Sequence, residues 1–114
     1  MRLKLAVVGS RTFNDYVLVR ETLKDVDIEE IVSGGAKGAD RLAERYARDF
    51  GFPTKIFKPD WEGDGKAAGF IRNKQIVLYA DKVIAFWDGH SKGTKNTIDL
   101  ATEQGKLLKV IKVS

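Results

Sequence analysis

The sequence predicts an α/β fold, a three-layer sandwich around a five-stranded parallel sheet. Three observations carry that expectation. Short apolar runs alternate with amphipathic helical patterns along the chain, the arrangement that gives parallel strands covered by helices on both faces. Three of the runs end in loops of small residues: Gly9-Ser10-Arg11-Thr12, Ser33-Gly34-Gly35-Ala36-Lys37-Gly38-Ala39-Asp40 and Gly89-His90-Ser91-Lys92-Gly93-Thr94. Each loop leads straight into a helical pattern. Backbone N–H groups then face outward at the positive end of a helix dipole, where phosphate or carboxylate binds.

The elements follow in order. Leu3 to Val8 is a short apolar run that reads as a buried strand. Asn14 or Asp15 can cap a helix carrying Tyr16, Val19, Leu23 and Val26 on one side. Ile28 to Ser33 gives the second strand. Ala39, Leu42, Ala43, Tyr46, Ala47 and Phe50 then keep helical spacing, the clearest such pattern in the chain. Gly51 stops that helix and Pro53 follows. Thr54 to Phe57 is the third strand, and Pro59 to Gly65 is a polar loop holding Trp61. A helix over about 66–80 places Phe70, Asn73, Ile76, Val77 and Ala80 inward. Lys82 to Phe86 is the fourth strand. Thr94 to Gln104 is the last helix, with Ile98 and Ala101 inward and Gly105 as its stop. Leu107 to Val113 is the fifth strand. Right-handed crossovers leave few topologies, and the expected one is Rossmann-like with strand order 3-2-1-4-5. There the first and fourth strands are neighbours where the winding reverses, and ligands settle at their carboxyl ends.

Bulk properties narrow the function classes. The 114 residues fit one domain, 1–114. Hydrophobic residues at 43% and charged ones at 32% give an ordinary globular balance. With no cysteine and one histidine, neither a disulfide framework nor a metal site is expected. The first apolar run is too short for a signal peptide, and no run approaches membrane-spanning length. The expected location is the cytoplasm, with no membrane partner. Lysine and arginine total 20 against 16 aspartates and glutamates, a net +4. The basic residues are spread along the chain, so a mixed solvated surface is the first reading and a dedicated nucleic-acid face the second.

Several residues are candidates for ligand contact. Gly9 lets a ligand approach the backbone, Ser10 and Thr12 offer hydroxyl donors, and Arg11 a planar fork for oxyanions. A tight turn with a surface arginine is the plain alternative. Gly34, Gly35, Ala36, Lys37 and Gly38 offer backbone amides, or glycines there merely permit close helix–sheet packing. They match neither the P-loop nor the G-x-G-x-x-G spacing. Asp40 either stabilises the helix start or accepts from a ribose hydroxyl or orients Arg11. Asn73 sits on an apolar side and needs partners, from nearby backbone or from a ligand. Arg72 beside it clamps phosphate or is an ordinary surface cation. Ser91, Gly93 and Thr94 cradle a second phosphate at the last helix's start, or Thr94 serves plain turn and cap chemistry, and Asp88 before them is a further candidate for ligand contact. His90 reads as an exposed loop residue. Trp61 and Trp87 pack at the core or rim, or stack on a base.

Taken as an ordered set, these motifs resemble the SLOG superfamily. They are Gly9-Ser10-Arg11, Gly34-Gly35-Ala36-Lys37-Gly38-Ala39-Asp40, Trp61 with Gly65-Lys66-Ala67-Ala68-Gly69, Arg72-Asn73 and Gly93-Thr94. The likeness is to its YspA-like, YpsA-related branch and runs from about Leu3 to Val113. It implies a Rossmann-like domain that binds nucleotides or nucleotide-derived ligands. Some members are phosphoribohydrolases that cleave the N-glycosidic bond of nucleoside monophosphates, and others bind single-stranded DNA. The hydrolases use a Pro-Gly-Gly-x-Gly-Thr-x-x-Glu loop. Here Gly93-Thr94 matches its Gly-Thr pair, His90 and Ser91 replace the leading glycines, and Thr97 stands where the catalytic glutamate would be. Asp40 and Asp88 are the acids that would have to substitute. The resemblance also leaves room for a homodimer, with exposed parts of Trp61 or Phe70 as interface. The expectation is binding or sensing of a phosphate- and ribose-containing ligand with no required cofactor. N-glycoside hydrolysis and single-stranded nucleic-acid binding are the alternatives.

Overall fold

A computed structural model of the chain describes residues 2–113. Five strands form one sheet: β1 (Leu3–Gly9), β2 (Ile28–Ser33), β3 (Thr54–Ile56), β4 (Lys82–Trp87) and β5 (Leu107–Lys112). All neighbours pair in parallel, in the order β3-β2-β1-β4-β5. The architecture and strand order are those the sequence predicts.

Period-two alternation along the central strands builds the two core layers. Leu5 and Val7 of β1 and Ile84 and Phe86 of β4 face one side. There they pack on Val19 and Leu23 of α1 (Tyr16–Leu23) and on Ala43, Tyr46 and Ala47 of α2 (Ala39–Phe50). Ala6, Val8, Val83 and Ala85 face the other side. They meet Ile76 and Val77 of α4 (Ala68–Tyr79) and Ile98 and Ala101 of α5 (Lys92–Glu103). Phe13, from the β1–α1 loop, stacks on Phe86 with ring centroids 4.9 Å apart, so the loop after β1 is anchored in the core. Each fully buried side chain of this size contributes about 1.5–3 kcal/mol.

Local signals set the helix ends. Asp15, not Asn14, caps α1, its carboxylate accepting from the Leu18 amide at 3.0 Å. The stretch from Pro59 to Gly65, expected as a loop, contains one helical turn, α3 (Trp61–Asp64), followed by a 3₁₀ turn at Gly65–Ala67. Asp60 nucleates it: its carboxylate accepts from the Gly63 amide at 2.9 Å and its carbonyl from the Asp64 amide at 2.8 Å. Consequently α4 begins at Ala68. The last helix starts at Lys92, two residues before Thr94, because Ser91 already lies in extended backbone and its carbonyl accepts the Lys95 amide. Phe70, placed inward by helical phase, is 55% exposed. It belongs to neither core cluster, since on α4 it is Ile76 and Val77 that reach the sheet core. Phe50, at the end of α2, is also exposed and leans on Tyr46.

One close approach fixes where the loops diverge. Gly9 lies opposite Phe86 in the β1–β4 register. A Cβ on Gly9 would collide with the Phe86 carbonyl oxygen and sit 2.7 Å from the Ala39 methyl. Glycine here brings the start of α2 against the end of β1. Replacing it with alanine must push strand or helix aside. We expect Gly9→Ala to lower the unfolding free energy by about 2–3 kcal/mol in urea titration. A loss under about 0.5 kcal/mol would show that the contact is not needed.

Candidate functional site

Three loops converge at the carboxyl ends of β1, β2 and β4. The Ser10 hydroxyl ties two of them, accepting from the Asp88 amide at 3.2 Å and lying 3.1 Å from the Ser91 hydroxyl. Asp88 folds the loop after β4 around its carboxylate. Oδ1 accepts from the amides of His90 and Ser91, both at 2.8 Å, and Oδ2 lies 3.2 Å from the Ser91 hydroxyl. Trp87 latches the same loop, its indole N–H donating to the Ser91 carbonyl at 3.1 Å. With its hydroxyl drawn toward Ser10 and Asp88, Ser91 does not cap α5. The first amides of that helix therefore carry no side-chain acceptor. A Cβ at Gly93 would meet nothing within 4 Å, so this end of α5 opens on free space.

The glycine loop after β2 is organised differently from the sequence expectation. The amides of Gly34 and Ala36 both donate to Oδ2 of Asp40 at 3.2 Å, and the Gly35 amide donates to the Ser33 hydroxyl at 3.2 Å. The Gly34 and Ala36 N–H groups, expected to receive a phosphate, already hold a carboxylate supplied by α2. Gly38 (φ +80) lies against the Ser10 and Arg11 carbonyls, where no side chain fits. The Ala39 amide donates to the Ser10 carbonyl at 3.3 Å. Of the two helix starts, α5 is the one whose first amides meet no side-chain acceptor.

Arg72 and Asn73 form a strut across the cleft. Arg72 donates from Nη1 to the Gly34 carbonyl at 2.8 Å and from Nε to Asn73 Oδ1 at 3.0 Å. The Asn73 amide donates to the Gly93 carbonyl at 3.2 Å and to Asn96 Oδ1 at 3.1 Å. Asn73 is 6% exposed and takes the plainer of its two sequence readings: it satisfies neighbouring groups. Arg72 is held by the glycine loop, but it still lines the cleft.

The cleft so formed measures about 330 Å³, within the roughly 300–1,000 Å³ usual for small-molecule sites. Gly9, Arg11, Thr12, Ala36, Asp40, Arg72, Asp88, Ser91, Gly93 and Thr94 line it together with Val8, Ile76 and Thr97. A second cleft of about 530 Å³ adjoins it, sharing Arg11, Ala36 and Arg72 and adding Gly34, Gly35, Lys37, Arg41, Lys58, Pro59 and Trp61. Ser10, Gly38 and Asn73 line neither and act from behind the rim. Sequence reading missed Arg41 and Lys58, which carry no motif. Their only signal is position, one beside Asp40 and one just after β3. It noted Thr97 only as a substitute for a glutamate. The Thr97 hydroxyl donates to the Gly93 carbonyl at 3.2 Å and helps shape the α5 start.

The two acids of the cleft differ sharply. Burial pushes Asp40 up from the ordinary 3.8 to about 6, against the Ala36 amide, the Arg72 charge and the Gly34 amide, which all favour ionisation. Its second oxygen takes part in none of these hydrogen bonds. Among the described residues no buried side-chain polar atom lacks a partner, so that oxygen is not fully buried, and Asp40 lines the cleft. A carboxyl titrating near neutrality is what general acid–base chemistry requires. Hydrogen bonds from the Ser91 and His90 amides pull Asp88 down to about 2. It stays ionised and fully engaged, a loop anchor and a poor proton carrier.

The YspA, cpYpsA-related SLOG family matches over residues 3–63. The Gene 61 protein of Mycobacterium phage D29 is 34% identical over 113 residues, 90% of this chain and 90% of that protein. Among solved structures, DNA processing protein A from Streptococcus pneumoniae superposes with a TM-score of 0.75 at 22% identity, over 98% of this chain and 51% of that one. Its Helicobacter pylori counterpart, described in a single-stranded DNA binding mode, gives 0.73 at 23% identity over 97% of this chain and 66% of that one. The chain thus spans about half to two thirds of those proteins, and the likeness shows a shared fold.

The raised Asp40 pKa makes stability depend on pH. The folded chain holds that proton more tightly than the unfolded chain, so the stabilising effect is complete below about pH 4. It is lost as pH rises through about 6. Relative to Asp40→Asn, the wild type is expected to lose of order 2 kcal/mol across that window by denaturant titration. Parallel curves for the two proteins would show that Asp40 does not titrate there.

Proposed function

The chain belongs to the YspA, cpYpsA-related SLOG family, and from that premise we propose that it binds a nucleotide-derived ligand in the cleft between the β1, β2 and β4 loops. The observation that carries this reading is the open start of α5. Gly93 leaves it bare, and Arg11 and Arg72 stand across the same cleft. Helix dipole, free amides and two guanidinium groups together suit a phosphate. Thr12 and Thr94 supply hydroxyl contacts, and the open oxygen of Asp40 suits a ribose hydroxyl. Binding, rather than cleavage of the glycosidic bond, fits Thr97 standing in the glutamate's place and Asp88 being tied into its loop, which leaves Asp40 as the one acid of the cleft through which cleavage would have to run.

A nucleic-acid strand is the second reading. The cations beyond the first cleft, Lys37, Arg41 and Lys58, continue from Arg11 and Arg72 beside an exposed Trp61. Basic grooves with aromatic platforms track single strands without sequence preference, and the Helicobacter pylori protein is described as binding single-stranded DNA.

Calorimetry and thermal shift with nucleoside monophosphates test the first reading, with chromatography for any released base. Ligand at about one hundred times its dissociation constant is expected to stabilise the protein by about 2.7 kcal/mol. Arg11→Ala should remove most of that gain. Gly93→Ala should fold normally yet bind weakly, because its methyl would occupy the phosphate's place. No stabilisation by any nucleotide would overturn the proposal. For the strand reading, affinity for a short single-stranded oligonucleotide should fall steeply between 50 and 200 mM salt, as roughly −0.7 per phosphate contacted. A flat response excludes it.

A further inference from the structure

The second cleft is larger than the first and differs in character. Its cations are Arg11, Lys37, Arg41, Lys58 and Arg72, and among the described residues no acidic side chain lines it. Trp61 stands on its wall at 57% exposure. The tip of the indole lies close enough to α4 that a methyl placed on Gly69 would come within 3.8 Å of it. A large aromatic left half open has no packing role in either core cluster. Arg11 and Arg72 border both clefts. A phosphate lying between them would be shared by groups seated on either side.

We infer that the second cleft is a subsite for a second nucleotide unit, its base stacked on Trp61 and its linking phosphate between Arg11 and Arg72. The inference rests on the reading of the first cleft as a nucleotide site and names the ligand's class: two ring-bearing units joined through phosphate. A π-face on one side and fixed positive charge on the other select such a group over a bare phosphate, which would gain nothing from the indole. The joining phosphate can be a single phosphodiester or a pyrophosphate, and the same chemistry serves both.

The test titrates the full chain with AMP, with the dinucleotide pApA and with the pyrophosphate-linked dimer AppA, reading affinity by calorimetry and tryptophan emission in parallel. At least one dinucleotide is expected to bind roughly ten-fold or more tightly than AMP, in line with stacking of one further base. It should quench emission where AMP does not. Which dimer does so identifies the linkage. Trp61→Ala should bring that dinucleotide down to the affinity of AMP and leave AMP binding unchanged. Trp61→Phe should keep most of the affinity while abolishing the quench, which separates a stacking contact from loss of fold. Equal affinity for AMP and both dinucleotides would overturn the second subsite and leave the first cleft standing. A dinucleotide advantage that survives Trp61→Ala would also overturn it. Absence of binding by all three would overturn both readings together.

Discussion

The carboxylate of Asp40 is taken out of water and gripped by the amides of Gly34 and Ala36, and the rim of the sheet takes its shape around that grip. Two backbone N–H groups that would otherwise face solvent or ligand find their acceptor inside the protein. A glycine loop of this kind is mobile on its own, because each glycine loses much conformational freedom on ordering. The internal carboxylate offsets that cost and holds the loop in place. Burial in turn raises the proton affinity of Asp40. The group that orders the loop is thereby also the one whose charge is most easily changed.

From that loop the order passes across the cleft. The Gly34 carbonyl accepts Arg72, Arg72 holds Asn73, and Asn73 donates to Gly93 and Asn96 at the start of α5. On the other side, Ser10, Asp88 and Ser91 tie the loop after β1 to the loop after β4. Both chains of hydrogen bonds end near the first turn of α5. Their joint result is a helix start with fixed position and unclaimed amides, the preorganisation an anion site needs. The loops after β1 and β4 rest on the same core, since Phe13 stacks on Phe86 in the layer below them.

Charge explains why the two clefts are unequal. The first mixes Arg11 and Arg72 with Asp40 and Asp88, so its net field is modest and its contacts are directional. Among the described residues, the charged side chains that line the second are all cationic, beside an indole. A ligand of the proposed kind would pass from hydrogen-bonded contact in the first to electrostatic and stacking contact in the second. The net charge of +4 hides this asymmetry, because the basic residues that gather at the second cleft, Arg11, Lys37, Arg41, Lys58 and Arg72, come from separate stretches of the chain.

The sequence by itself determined the architecture. Continuous apolar runs at Leu5–Val8 and Val83–Phe86, helical spacing from Ala39 to Ala47, and glycine-bearing loops after three strands are local patterns, and the first two report directly on what is buried. Those patterns also placed the cleft, since a parallel sheet wound in this order has one reversal point. What a hydrogen-bonding group does there was decided only by tertiary structure. Whether the Gly34 and Ala36 amides are free depends on a carboxylate several residues on, in the following helix. Whether Asn73 reaches a ligand depends on Gly93 and Asn96, twenty or more positions away. Phe70 kept its helical phase yet stayed exposed, and Arg41 and Lys58 joined the cleft without any motif. Periodicity is a property of neighbours along the chain, whereas the satisfaction of a polar group is a property of neighbours in space, and only folding brings those together.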